Sequence, residues 1–182
     1  MRGPVLGVIG GLGPLATANF LELMTKMTQA PSEQDHMDMI VYNFPSIPDR
    51  TGYILGSNLR SPLPGLLWAG RELERQDVCA IAIPCVTALY FYEDMSRELR
   101  RPIIHDIRET AKYLKARGVG SVGIMATEGA VTSGIFSQEL LPLGIRPILP
   151  GAARQQDVTH LIYRNIKAGV PAEMDRFHRA EQ

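Results

Sequence analysis

The sequence predicts an α/β fold built on parallel sheets, and three observations carry that prediction. Short β-rich apolar runs alternate with longer stretches at helical spacing, the order that produces crossover helices over a parallel sheet. The run Val78–Ile83 is apolar throughout, as expected of a strand buried on both faces. After Gly118 the same strand–helix alternation starts again.

Taken in order, Val5–Ile9 reads as a strand ending at Gly10-Gly11. Leu15–Met27 follows at helical spacing, with Ala16, Phe20, Leu23, Met24 and Met27 on its apolar stripe. Met37–Tyr42 is a second strand. Pro62–Gln76 is mostly helix, its stripe made of Leu66, Leu67, Gly70 and Leu73. Val78–Ile83 is the third strand, Ala88–Arg100 a helix facing inward through Leu89, Tyr92, Met95 and Leu99, and Ile103-Ile104 a short fourth strand. Asp106 caps a helix that Gly118 ends. Then come strand Ser121–Met125, helix Val131–Leu141, strand Arg146–Leu149 and helix Gln155–Lys167 with Val158, Leu161, Ile162 and Ile166 inward. Ala172–Gln182 opens a last helix without a stop signal.

The first region has four candidate strands and the second only two, and a two-stranded piece is poorly stable alone. The expected division is a first domain over 1–117 and a partial second domain over 118–182, with the boundary near Arg117–Gly120.

Composition narrows the function. Nineteen basic and nineteen acidic residues cancel, so no net field draws a polyanion, and nucleic acid is not the expected partner. Cys79 and Cys85 lie at opposite ends of one strand-like run, some 20 Å apart at strand rise and beyond disulfide reach. The four histidines are scattered and no CxxC occurs, so no metal-ligand spacing is present. The opening MRGPVLGVIGG is too short and glycine-broken for a signal peptide, and no stretch approaches a membrane span. The expectation is a protein of the reducing cytoplasm.

In open parallel sheets, chemistry gathers at the carboxyl ends of the strands. Gly11-Leu12-Gly13-Pro14-Leu15-Ala16 formally fits GxGxxA. A dinucleotide fingerprint wants an acid ending the second strand, and Tyr42-Asn43-Phe44 stands there instead. The plain reading is a tight turn with Pro14 at the first helical position. Asn43–Gly56, with two prolines and two glycines, reads as a rigid loop rather than a helix. Its Arg50 is either a surface cation paired with Asp49 or a fork for a carboxylate. Pro84-Cys85-Val86-Thr87 ends the third strand and turns into a helix. That position favours the thiolate, a nucleophile or base, although free cysteine is also commonly a buried packing residue. Cys79 is read as structural. Thr127 either caps the following helix or donates to a carboxylate, and Lys167 at a helix end either complements the dipole or binds an anion.

The segments GVIGGLGPLAT, IPDRTGYILG, IPCVTA, IMATEGAV and IKAG occur in an order that resembles the aspartate racemase branch of the aspartate/glutamate racemases, from Val5 through Lys167. The resemblance implies two similar flavodoxin-like halves with a cleft between them, and catalysis with neither pyridoxal phosphate nor metal. It implies a small acidic amino acid as partner, no nucleic acid and no membrane, and it is compatible with a homodimer through the first half. By motif, Cys85 corresponds to the first of two cysteines that flank the substrate Cα. Arg50 and Lys167 correspond to the partners of the side-chain carboxylate, and Thr87 and Thr127 to binders of the α-carboxylate. Leu12 lies in the first substrate loop. Three departures stand out: Val86 replaces a substrate-binding asparagine, Ala130 replaces a threonine, and the second cysteine would follow a further strand beyond Gln182. The expectation is therefore a shortened form with an incomplete second half, an amino-acid racemase acting by thiol-based proton abstraction and impaired by the missing cysteine. A one-cysteine lyase or isomerase on a dicarboxylate, and a catalytically silent binding module, are the alternatives.

Overall fold

The computed structural model describes residues 3–181, so Met1, Arg2 and the predicted helical end at Gln182 lie outside it. The chain forms two compact units of mixed α/β structure, each with a parallel sheet. The first comprises residues up to Asp49 together with Leu59–Ile104, and the second Arg50–Asn58 together with His105 onward.

In the first unit, β1 (Leu6–Gly10) pairs in parallel with β2 (Met39–Asn43) on one side and β3 (Ala80–Ala82) on the other. Every residue of β1 is buried, the position expected of a central strand. Ile103 adds only an isolated parallel bridge to Ile81, where sequence predicts a full strand. The core gathers Leu6, Val8 and Ala82 beneath Phe20, Met24, Met39 and Val41. The first helix, α1 (Pro14–Met27), buries Thr17, while Ala16, Leu23 and Met27 of the predicted stripe face outward. The reason is local: the Thr17 hydroxyl accepts the Gly11 N–H at 2.9 Å, which turns that side of the helix toward the sheet. Helix α3 (Leu63–Arg75) buries Leu66, Ala69, Gly70 and Leu73. The helix predicted over Ala88–Arg100 divides into a 3₁₀ segment, Val86–Phe91, and α4 (Tyr92–Glu98).

Between β2 and α3 lies a helix where sequence predicts a loop. Arg50–Ile54 forms α2. Pro45 and Pro48 precede the helix rather than interrupt it, and Gly56, at φ +75°, ends it.

In the second unit, β4 (Ser121–Gly123) pairs in parallel with β5 (Arg146–Ile148). Helix α5 (Asp106–Ala116) sends Ala111 into the core of Leu140 and Ile145. That packing assigns α5 to the second unit, upstream of the boundary near Arg117–Gly120 read from sequence. His105, not Asp106, is the cap of α5: its Nδ1 accepts the Arg108 N–H at 3.2 Å. The predicted helix Val131–Leu141 breaks at Gly134, φ +75°, into α6 (Glu128–Thr132) and α7 (Ile135–Leu140).

The predicted helix Gln155–Lys167 begins earlier, as α8 (Ala152–His160), and widens into a π-helical segment, Leu161–Ile166. The wider turn changes the phase of the buried face. Asn165 takes the buried position and Ile166, predicted inward, is 55% exposed. The last helix, α9 (Met174–Glu181), is tied to α8 by Arg176 and Arg179, which both donate to Asp157. Those two cations, Arg179 foremost, hold the Asp157 carboxyl down at about 2.

Candidate active site

The first unit brings two of the sequence-selected segments to one sheet edge. β1 and β3 are adjacent and parallel, with Val8 opposite Ala82, so the loops that leave their carboxyl ends are neighbours. One loop carries Leu12 and the other Cys85, Val86 and Thr87. Gly10, at the end of β1, and Gly11, which opens the first loop, are closely packed. A Cβ on Gly10 would stand 2.5 Å from Thr17 Cγ2, and one on Gly11, at φ +86°, 2.4 Å from the Phe44 nitrogen. Protein neighbours thus account for Gly11 of the GxGxxA motif, whereas a Cβ on Gly13 would meet nothing within 4 Å. Leu12 is buried.

Cys85 is the residue before the 3₁₀ segment, in extended conformation at φ −157°. Its carbonyl accepts the Ala88 N–H at 3.0 Å, and its thiol is half-buried. Six residues of 3₁₀ geometry follow it rather than a full α-helix, so the dipole expected from sequence is short. Thr87 is buried and Val86 partly so. Cys79, read from sequence as structural, is exposed. It lies ahead of the β3 ladder, at the opposite end of the strand from Cys85.

The second unit brings Arg50 and Thr127 onto packed elements. Arg50 is the first residue of α2 and only 7% exposed. Helix α2 rests on α6 through the glycine of the IMATEGAV segment: a Cβ on Gly129 would stand 2.8 Å from the Thr51 Cα. Thr127 caps α6, its hydroxyl accepting the Ala130 N–H at 3.3 Å. The helix-cap alternative for Thr127 is therefore realised, in the residue that links β4 to α6.

Lys167 closes the π-helical segment, its N–H bonded to the Ile162 carbonyl at 2.8 Å. Its Nζ stands 4.1 Å from the centre of the Tyr163 ring. Upstream on the same helix, Gln155 donates through Nε2 to the Ala126 carbonyl at 3.0 Å, fastening α8 to the residue before Thr127. A cavity of about 760 Å³ lies here, lined by Glu128, Gln155, Thr159, His160, Tyr163 and Arg164 among others.

Sequence reasoning missed Gln155 and Tyr163. With Thr159 and Lys167 they form a polar series four residues apart, the spacing of one helix face, and that spacing was the available signal. Among the described residues, no group of three or more His, Cys, Asp or Glu side chains is placed to hold a metal ion. No described helix is long and apolar enough to cross a membrane. His160 and His178 are hydrogen-bonded to Glu173 and Glu181 at 2.6 and 2.9 Å.

The sequence profile of the family described as Asp/Glu/hydantoin racemase matches residues 9–181. The chain is 26% identical over 162 residues to the broad specificity amino-acid racemase RacX of Bacillus subtilis (strain 168), covering 87% of this chain and 69% of that protein. Among solved structures it resembles the aspartate racemase of Picrophilus torridus, with a TM-score of 0.84 and 27% identity, over 98% of this chain and 74% of the other. It shares its fold with an aspartate racemase homologue from Pyrococcus horikoshii OT3, with a TM-score of 0.74 and 21% identity, over 92% and 74% of the two chains.

Proposed function

The chain belongs to the Asp/Glu/hydantoin racemase family, and from that premise we propose that it acts as an amino-acid racemase-type isomerase on aspartate, glutamate or a similar acidic amino acid. Cys85, as thiolate, takes the proton from Cα and returns it, without pyridoxal phosphate. Arg50 and Lys167 hold the side-chain carboxylate, Thr87 and Thr127 the α-carboxylate, and Leu12 and Val86 line the substrate's path.

The observation that best supports this reading is the seating of α2 on α6 through Gly129 and Thr51. It gives the Arg50 fork a rigid base beside the Thr127 cap, and a fork on rigid elements recognises a carboxylate by two parallel hydrogen bonds. Cys85 is half-buried, open enough to react and sheltered enough for a desolvated thiolate to act as a base. The same reading places the protein in the cytoplasm, where its two free thiols stay reduced, and assembles it as a homodimer, which light scattering measures.

The test is exchange of the α-proton in heavy water. L-aspartate and L-glutamate are each incubated with the full chain without added pyridoxal phosphate, and the α-hydrogen is followed by proton NMR. Loss of the signal with wild type and its retention with Cys85→Ser is the expected result. Binding of aspartate with no exchange at any pH would replace the catalytic role with a binding one.

A further inference from the structure

We propose that Gln155 is a positioning residue for the α-carboxylate end of the substrate: its side-chain amide grips the carbonyl of Ala126 and so sets the peptide plane that Thr127 shares. The inference rests on the reading of Thr127 as an α-carboxylate binder, and it adds a residue that neither the motifs nor that reading includes.

The turn after β4 is where such a hold acts. The Ile124 N–H still bonds to the Ile148 carbonyl at 2.9 Å, beside β5, and α6 begins at Glu128. Met125, Ala126 and Thr127 lie between. Gln155, near the start of α8, reaches this turn and donates through Nε2 to the Ala126 carbonyl at 3.0 Å. A carbonyl can only accept, so the amide nitrogen and not its oxygen faces Ala126. The same Nε2 stands 3.4 Å from the Thr159 hydroxyl, one turn further along α8, so both of its hydrogens are directed. A trans peptide is planar, with its C=O and N–H pointing in opposite directions. Fixing the Ala126 carbonyl therefore fixes the direction of the Thr127 N–H and the axis about which Thr127 turns. This holds whatever other bonds Thr127 makes, its cap to Ala130 included.

Packing alone does not explain a glutamine here. Its Oε1 is buried and has no hydrogen-bond partner among the described residues. An unsatisfied buried acceptor destabilises the fold, and an apolar chain of similar length would not. A methionine would fill the space without that penalty. What the amide supplies, and methionine cannot, is the Nε2 donor to Ala126.

The experiment measures binding of L-aspartate and of β-alanine by calorimetry to the full chain. β-Alanine keeps the ammonium and the distal carboxylate of aspartate and lacks the α-carboxylate. Gln155→Met is expected to weaken aspartate about two- to tenfold, the effect of one neutral hydrogen bond, and to leave β-alanine unchanged. Its thermal midpoint should stay close to that of wild type, because the unsatisfied Oε1 goes together with the lost bond. Gln156→Met, at the exposed neighbouring glutamine, should change neither affinity. In a Thr127→Val background, Gln155→Met should have no further effect on aspartate. Gln155→Glu adds a pH signature, since a carboxylate repels the Ala126 carbonyl whereas the protonated acid can donate to it. Its aspartate affinity relative to wild type should recover as pH falls from about 8 to about 5. Thr127→Val binding aspartate as tightly as wild type would remove the α-carboxylate role of Thr127 itself. If Thr127→Val weakens aspartate while Gln155→Met does not, or if Gln155→Met weakens both ligands equally, the positioning role is wrong and the Thr127 assignment stands. If Gln155→Met does not fold, a deficit in Gln155→Glu that is the same at every pH would overturn the donor argument independently.

Discussion

Gly129 lies so close to Thr51 that a Cβ on it would stand 2.8 Å from the Thr51 Cα and 3.1 Å from its hydroxyl oxygen. The contact joins two segments 78 positions apart in sequence (129 − 51). It is the close approach of backbone on backbone that only glycine permits without displacement. Arg50, one residue before Thr51, is set in place by it.

Gly129→Ala should therefore act on both stability and binding. The added methyl meets a Cα rather than a flexible side-chain end, so α2 must move. Overpacking of this kind costs about 1–3 kcal/mol. Thermal unfolding should show a midpoint lower by several degrees, and aspartate affinity should fall with it because Arg50 moves too. A variant with wild-type affinity and a lowered midpoint would separate the Arg50 position from the α2–α6 contact.

Arg50 itself makes a sharper case. A charge-assisted contact contributes about 1.5–3 kcal/mol, so Arg50→Ala should weaken aspartate roughly ten- to a hundredfold. Arg50→Lys should recover only part, because a point charge cannot make the two-pronged contact. Equal calorimetric affinity of wild type and Arg50→Ala removes Arg50 from the site. Far-ultraviolet dichroism checks that the loss is not unfolding, since Arg50 is buried.

The legible and illegible parts of this molecule divide on physical grounds. The strands β1, β2, β4 and β5 could be read because apolar runs bounded by glycine, proline and polar residues leave few alternatives. Helix α2 could not, because Pro45, Pro48, Gly52 and Gly56 all signal a loop; the two prolines and Gly56 fall outside the helix, and Gly52 lies within it. The π-helical segment carries no residue-type signature at all. Its consequence, Asn165 inside and Ile166 outside, runs against hydropathy. Cys79 sits in an apolar run and looked buried, but it falls ahead of the strand ladder, where the sheet no longer covers it. The site segments were legible as motifs. The packing that seats Arg50 through Gly129 joins segments too far apart in sequence for any local pattern to show.

The exposure of Cys79 changes how Cys85 must be tested. Labelling rate alone favours the more accessible thiol, and Cys79 is the exposed one. Protection by substrate is the discriminating readout. Saturating aspartate should slow iodoacetamide labelling of Cys85 and leave Cys79 unaffected, as measured by peptide mapping. Equal protection of both, or of neither, would detach Cys85 from the substrate site.

Asp106 predicts an unusual pH dependence. Burial pushes its carboxyl from the ordinary 3.8 up to about 6, against the lowering effect of the Ile107 N–H bond. Between these values the native state keeps a proton that the unfolded chain has released. Stability therefore falls as pH rises through this window, by on the order of 3 kcal/mol for a shift of about two units. Asp106→Asn should be more stable than wild type at pH 7.5 and equal to it near pH 3.5. Urea titrations at the two pH values check this. A constant difference between the two proteins across the range would remove Asp106 as the titrating group.

The last expectation concerns what one thiol can do. Racemisation takes a proton from one face of Cα and delivers another to the opposite face, so it needs acid–base groups on both sides of a planar intermediate. The 182 residues contain two cysteines, Cys79 and Cys85. They stand at opposite ends of the β3 run, a separation of some 20 Å at strand rise, so they cannot flank one carbon atom. A positioned acid or base contributes on the order of 10²–10⁴-fold, and a chain working with Cys85 alone forgoes that factor for the second face. Removal and return on a single face remain open to it. In heavy water the 182-residue chain should therefore place deuterium at Cα of one enantiomer of aspartate or glutamate while optical purity holds. Proton NMR follows the exchange and chiral chromatography the purity, with Cys85→Ala as the blank. His178 is hydrogen-bonded to Glu181 on α9, so His178→Ala should leave the exchange unchanged. Rapid interconversion of both enantiomers by this chain would contradict the one-thiol account and demand a second acid from a residue other than cysteine or from another chain.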